Sequence, residues 1–350
     1  MQALRLLEWN SDPVLVEVDD PEPGPGQVVV RIGGSGACHS DLHLMHEFGP
    51  GLLPWGPPFT LGHENAGWVH ALGAGVVGFD VGQPVAVYGS WGCGSCSRCQ
   101  LGMENYCEDT EHAPVAGGGG GLGLDGGMAE FMLVPAARLL VPLPDGLDPV
   151  HAAPLTDAGL TPYHAIRRSW PLLVPSSTAV VIGIGGLGHL AIQILKATTA
   201  TRVVAVDTRP EARALALDEG ADLVLAPDGA AEEIRSFTDR RGSDLVLDFV
   251  GSDATLALGA AVVRQMGEVT VIGIAGGSYP FSFFTLPYEA GLRSTYWGSR
   301  PELAEVLDLA AQGHVRPVIT TCGLDEATGA YRCMSEGVAL GRQVIVPNLA

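Results

Sequence analysis

Apolar and polar positions change rhythm twice along the chain. Over the first 150 residues, short β-like runs (Val14–Val18, Val28–Ile32, Gly67–Leu72, Val85–Tyr88 and Ala129–Val134) are separated by turns rich in Gly and Pro. No long helical pattern intervenes, so this part reads as an irregular β-barrel or sandwich. The middle of the chain alternates instead. Apolar runs at Ala179–Gly183, Arg202–Asp207, Asp222–Leu225, Leu245–Phe249 and Val269–Ile274 are separated by helix-like stretches at Gly188–Ala197, Pro210–Glu219, Ala230–Arg240 and Ala254–Arg264. Strands apolar on both faces, alternating with helices, predict an α/β unit with a doubly wound parallel sheet. The tail holds one more helix pattern, Pro301–Gln312, then returns to β-like chemistry at Arg342–Pro347, which is expected to complete the first domain. The Gly117–Gly121 run reads as a floppy surface insertion without direct chemistry.

Composition narrows the function classes. A chain of 350 residues with 47% apolar content has room for two domains and a real core. Its formal charge is −20, and Lys196 is its only lysine. Such a surface repels phosphate backbones and anionic lipid, which argues against nucleic-acid and membrane partners. The N-terminus lacks a basic stretch followed by an apolar one, and the most apolar segment, Ala179–Leu195, is broken by four glycines, His189 and Gln193. A soluble, cytoplasmic protein is expected. In that setting the cysteines crowded into residues 93–107 read better as metal ligands than as disulfides.

Three constellations carry chemistry. Gly183-Ile184-Gly185-Gly186-Leu187-Gly188 joins a strand to a helix, where glycines let the backbone approach a pyrophosphate and the helix N-terminus offers bare N–H groups. The second strand of that unit ends in Asp207, placed to accept hydrogen bonds from an adenosine ribose and to repel a 2′-phosphate. NAD is thereby favoured over NADP, although Arg209 two residues on could partly offset the repulsion. Next, Cys93, Cys96, Cys99 and Cys107 can close a tetrahedron around a structural Zn²⁺, with an iron–sulfur cluster or disulfides as rivals. Last, Cys38-His39-Ser40-Asp41-Leu42-His43 and Gly62-His63-Glu64 supply a thiolate and an imidazole. Asp157 is the best third ligand, though the residue types alone leave ordinary packing open.

With these motifs the chain resembles the zinc-dependent alcohol dehydrogenases of the medium-chain dehydrogenase/reductase superfamily over essentially its whole length. Its Pro-Leu-Thr-Asp-Ala-Gly-Leu-Thr segment (154–161) is most similar to bacterial enzymes acting on secondary and aryl alcohols. The resemblance implies a GroES-like catalytic domain at 1–153 and 298–350, with the structural zinc lobe near 90–110, and an NAD-binding Rossmann domain at 154–297. It implies NAD and two zinc ions per subunit, with Cys38, His63 and Asp157 holding the catalytic one; some relatives carry a second cysteine in place of Asp157. Asp41 would fix the tautomer of His63, and Glu64 would stand beside the metal. Ser40 and His43 would relay the proton, His39 and Arg342 would meet the pyrophosphate, and Thr161 would lie against the nicotinamide. Zinc as Lewis acid and hydride transfer to the nicotinamide would interconvert an alcohol and a ketone or aldehyde. Trp55, Ile274, Phe283, Tyr296 and Trp297 are candidates to line an apolar substrate cleft. His46, His70, His112 and His151 receive no role, and Cys322 and Cys333 read as buried small apolar residues or reactive bystanders. The resemblance also implies a homo-oligomer, a tetramer rather than a dimer. A polyol or amino-alcohol dehydrogenase on the same scaffold is the alternative, and a non-catalytic dinucleotide-sensing zinc protein is the remote one.

Overall fold

In the computed structural model, which describes residues 1–348, the ten-residue strand Val28–Ala37 organises the first of two units. On one side it pairs antiparallel with Glu64–Leu72, which continues to Pro84–Val87 and Leu140–Pro142. Its other side is shared. Phe131–Val134 pairs with the first half, and Arg342–Ile345 pairs with the second half, at Ser35–Ala37. Arg342–Ile345 in turn runs parallel to Ile319–Cys322. A smaller sheet joins Val14–Glu17, Gln2–Leu6 and Phe59–Thr60. Between the sheets and the helices His39–His46 and Ala327–Ser335 lies a core of Leu4, Leu6, Leu44, Met45, Phe59, Leu61, Met128, Tyr331 and Ile345. Each fully buried aliphatic or aromatic side chain of this kind contributes about 1.5–3 kcal/mol.

Chain contacts assign residues 1–160, 297–313 and 317–350 to this unit and 161–296 with 314–316 to the other. The sequence-based division at 153/154 and 297/298 lies a few residues away. Of the expected segment 298–350, residues 349 and 350 lie outside the described part.

The second unit is a six-stranded, all-parallel sheet. Its order is Leu223–Leu225, Arg202–Val206, Thr178–Ile182, Ser243–Asp248, Val263–Val271, Gly291–Ser294. Reading the strands in chain order gives 3-2-1-4-5-6, so the order reverses beside Thr178–Ile182 and opens a crevice at the carboxyl ends of the central strands. Helix Gly188–Thr198 follows the first strand and is buried from Gly188 to Leu195.

Several elements depart from the sequence pattern. His39–His46 is helical inside the β-rich part: Asp41, at its third position, accepts the backbone N–H of Cys38 at 3.0 Å and caps the turn. The expected helix Ala254–Arg264 ends at Val262, because Val263 already pairs with Ser243. The expected Ala230–Arg240 stops at Phe237, with Asp239 and Arg240 at positive φ. The largest correction concerns Gly117–Gly121. Gly118 to Gly121 are buried, and Gly119–Gly120 pairs with Gly123–Leu124. A Cβ on Gly119 would come 1.9 Å from the Gly89 carbonyl oxygen, so glycine serves here for close backbone approach rather than for flexibility. Among the described residues no helix is long and apolar enough to cross a membrane.

Candidate active site and metal centres

Three chain segments bring Cys38, His63, Glu64 and Asp157 together in the first unit, with one ligand atom of each within 4.8 Å of all the others. Cys38 closes the long central strand and caps helix His39–His46. His63 follows Gly62, whose φ of +94° turns the chain into the next strand. Asp157 ends the short turn Ala153–Thr156. That turn is fastened by Thr156, whose hydroxyl accepts Asn65 N–H at 3.1 Å and whose carbonyl accepts Trp297 Nε1–H at 2.9 Å. The Trp297 ring also stands edge-on to His63, with centroids 5.9 Å apart.

The imidazole of His63 has polar neighbours at both nitrogens. Nε2 lies 3.6 Å from Asp157 Oδ2 and 3.4 Å from Ser40 Oγ, whereas Nδ1 lies 3.2 Å from Asp41 Oδ1. Burial opposes a charged ring, yet Asp41, Asp157 and Cys38 together hold its pKa well above the usual histidine range. A thiol, an imidazole and a carboxylate facing one buried point, with an excess of acidic groups, fit a divalent cation with zinc's preferences. Asp41, itself fully buried, is held by Cys38 N–H and by the Tyr331 hydroxyl, which donates to Oδ2 at 2.8 Å. Burial and the neighbouring Asp41 push the Tyr331 pKa far up, so the phenol stays protonated. Tyr331 escaped the sequence reading; a tyrosine in a helix of mixed polarity signals nothing by itself.

Glu64 is fully buried and receives Arg342 at both oxygens, Nε at 2.9 Å from Oε2 and Nη2 on Oε1. Burial raises the Glu64 pKa even though Arg342 opposes the shift. The expectation that Arg342 meets a pyrophosphate therefore has to accommodate a guanidinium buried against Glu64. Around the helix start, His39 is exposed and Ser40 half-buried. His43, read from sequence as the outlet of a relay, is buried, stacks on Phe48, and sets Nδ1 2.7 Å from Glu47 Oε2.

The four-cysteine lobe is a second centre in the same unit. Sulfur atoms of Cys93, Cys96, Cys99 and Cys107 lie within 4.8 Å of one another. Backbone N–H groups of Ser95 and Cys96 point at Cys93 Sγ at 3.4 and 3.3 Å. The Ser95 hydroxyl and these amides pull the Cys93 pKa down to about 6, whereas burial pushes Cys99 far up. Four crowded sulfurs with amides aimed at them fit a closed tetrahedral metal site. Arg138 fastens the lobe, with Nε 3.1 Å from Glu104 Oε1 and Nη2 2.6 Å from the Gly92 carbonyl.

In the second unit Gly183 takes φ +88° between strand and helix, and a Cβ on Gly188 would sit 2.0 Å from the Gly183 carbonyl oxygen. Gly185 faces open space and accepts His189 Nδ1–H at 2.9 Å through its carbonyl; Gly186 is half-buried beside it. Asp207 is buried, with Oδ2 accepting Ile184 N–H at 2.7 Å and Oδ1 accepting Arg209 N–H at 2.8 Å. The carboxylate is thus fixed over the glycine turn. Thr161 is buried in helix Leu160–Arg168. Of the candidate cleft residues, Trp55 packs edge-on to Phe59 and Trp297 is buried on His63, while Ile274, Phe283 and Tyr296 are exposed.

Two family models match, one described as alcohol dehydrogenase GroES-like domain over residues 24–145 and one as zinc-binding dehydrogenase over residues 186–312. An NAD-dependent alcohol dehydrogenase of Sulfurisphaera tokodaii is 36% identical over 99% of this chain and 100% of its own. The crystal structure of an alcohol dehydrogenase from Aeropyrum pernix superposes with a TM-score of 0.91 at 35% identity, over 99% of this chain and 100% of that one. Acetophenone reductase from Geotrichum candidum, solved with NAD, superposes with a TM-score of 0.84 at 30% identity over 99% and 96%. The chain therefore belongs to the zinc-binding alcohol dehydrogenases of the medium-chain dehydrogenase/reductase superfamily.

Proposed function

We propose that the chain is an NAD-dependent alcohol dehydrogenase that interconverts alcohols, mainly secondary and aryl ones, with ketones or aldehydes. The observation that carries this reading is the meeting of Cys38 Sγ, His63 Nε2 and the Asp157 carboxylate at one buried point. Those three residues would hold a catalytic Zn²⁺, and the four cysteines a structural one. The bound metal supplies Lewis acidity toward an alcohol oxygen, and the bound nicotinamide accepts the hydride.

The chain's own residues do the rest. Cys38 and Asp157 each bring one negative charge, which neutralises a divalent ion, while Asp41 keeps the proton on His63 Nδ1 and leaves Nε2 free to ligate. Arg342 balances Glu64 behind the cluster and positions it. Ser40, 3.4 Å from His63 Nε2, would take the alcohol proton, and His43 with Glu47 would pass it outward. His39 and Arg342 would meet the pyrophosphate, and Thr161 would lie against the nicotinamide. Glycines 183, 185, 186 and 188 carry the pyrophosphate, and Asp207 the adenosine ribose. The catalytic role then belongs to the first unit, which includes Asp157, and cofactor binding to the second, at 161–296 with 314–316.

The relative named for acetophenone supports the aryl preference. A homotetramer in the cytoplasm completes the reading. Exposed Phe281, Phe283, Phe284 and Tyr288, near the edge strand Gly291–Ser294, support self-association. The test is a panel of secondary, aryl and polyhydric alcohols with NAD, following reduced nicotinamide. Turnover of 1-phenylethanol-type substrates, lost on chelation and restored by Zn²⁺, is expected. Preference for polyols would replace the substrate class, and no turnover with any alcohol would remove the activity.

A further inference from the structure

We infer that the indole of Trp297 is a positioning group for the Cys38–His63–Asp157 centre: it holds the turn that presents Asp157 and sets the tilt of His63, without itself reaching the ligand point. This rests on the reading of those three residues as metal ligands. The indole N–H can only donate, and it donates to the Thr156 carbonyl at 2.9 Å. Thr156 is fully buried, and Asp157 follows it directly. On the other flank Ala158 N–H donates to Glu64 Oε1 at 3.2 Å. The backbone is therefore pinned one residue before and one residue after the carboxylate. Asp157 has φ −136° and ψ −59°, outside helix and strand, so these two bonds stand where a regular ladder would otherwise hold the chain.

The ring acts on the second ligand. Its plane stands at 81° to that of His63, with centroids 5.9 Å apart, and both side chains are buried. An edge-on aromatic at that distance limits the tilt of the imidazole, while Asp41 Oδ1 faces Nδ1 at 3.2 Å.

The backbone shows that this placement is imposed on Trp297. Its φ is +53°, a left-handed conformation that a bulky side chain adopts only where its surroundings over-determine it. Two neighbours do so. The fully buried Tyr88 donates its hydroxyl to the carbonyl of Gly298, the next residue, at 2.6 Å. Gly89 leaves the slot that the ring enters: a Cβ there would stand 1.9 Å from Trp297 Cζ2 and 2.6 Å from Cη2. Gly89 itself lies outside the left-handed region, so glycine is needed at this position for space and not for backbone freedom. Gly119, pressed against the Gly89 carbonyl, backs the same slot and ties the buried glycine run to the metal centre.

The test removes the donor and the slot separately. Trp297→Phe keeps an aromatic edge and loses the N–H; Gly89→Ala keeps the indole and displaces its tip. In each, zinc affinity is read by competition with a chromophoric chelator, and ligand geometry by the visible absorption of the Co²⁺-substituted protein. The cysteine lobe serves as internal control. Both variants should bind zinc at the Cys38 centre about tenfold or more weakly than wild type, with the lobe unchanged. At saturating Co²⁺ the visible bands of the Cys38 centre should shift, because they report ligand geometry and not occupancy. A side chain that only fills space would lower the unfolding midpoint and leave the bands in place, and that result overturns the inference. So does zinc affinity at the Cys38 centre within about twofold of wild type in both variants. If Trp297→Phe also loses the lobe metal and has therefore not folded, Gly89→Ala decides by the same two readouts. If wild type holds metal in the lobe alone, the ligand reading of Cys38, His63 and Asp157 falls, and the role of Trp297 with it.

Discussion

The Tyr331 hydroxyl reaches Asp41 Oδ2 at 2.8 Å, in a pocket from which both side chains exclude water. Asp41 Oδ1 in turn faces His63 Nδ1 at 3.2 Å. The phenol thus fixes the carboxylate that fixes the imidazole. Removing it in Tyr331→Phe should lower both metal affinity at the Cys38 centre and kcat/KM by about tenfold. Chelator competition followed by metal analysis, with kinetics alongside, measures this; metal in the cysteine lobe should stay. Equal loss at both centres would point to unfolding instead.

Asp157 sits 3.6 Å from His63 Nε2 and supplies the charge the proposed ion needs. Asp157→Asn keeps shape and removes charge. Elemental analysis should fall from two zinc ions per chain toward one, with turnover down by about a hundredfold. Asp157→Cys restores an anionic ligand and should recover the metal. Unchanged stoichiometry in Asp157→Asn would take this residue out of the ligand set.

The cysteine lobe should behave as a staple without chemistry. Cys99 is the buried one of its four cysteines, so Cys99→Ser should release one zinc and lower the unfolding midpoint. Protease cutting should appear within 93–107. Substrate KM at low temperature should hold, because Cys38, His63 and Asp157 are untouched. A metal-free but equally stable variant would show that the lobe stands without its ion.

A methyl group at Gly119 would collide with the Gly89 carbonyl at 1.9 Å, whereas one at Gly117 meets nothing within 4 Å. Gly119→Ala should cost about 1–3 kcal/mol in urea unfolding. Gly117→Ala pays only for its φ of +63°, on the order of 1 kcal/mol. Equal effects would mean that the run is not packed as described.

What could be read in advance follows from how chemistry constrains residues. Zinc limits its ligands to a few residue types, so Cys38, His63 and the cysteine spacing stood out before any fold was known. The glycine turn with Asp207 was legible because tight backbone approach demands glycine, and the Asp207 carboxylate that holds the Ile184 amide stands at the end of the next strand. Tyr331 was not, since phenols pack in many cores and its partner is 290 residues away. The Arg342–Glu64 pair, 278 residues apart, was hidden for the same reason. Gly117–Gly121 misled because a missing Cβ serves looseness and close packing alike, and only the neighbours at Gly89 and Met132 decide between them.

The strand Arg342–Ile345 lies beside Ser35–Ala37, more than 300 positions earlier. On the ribosome, Val28–Ala37 emerges long before this neighbour has been translated, so one flank of its second half stays open until Arg342–Ile345 arrives. The 161–296 segment has its whole sheet in hand well before then. Vectorial synthesis therefore supplies every strand of the parallel sheet before Arg342–Ile345, the segment whose arrival brings Arg342 to Glu64.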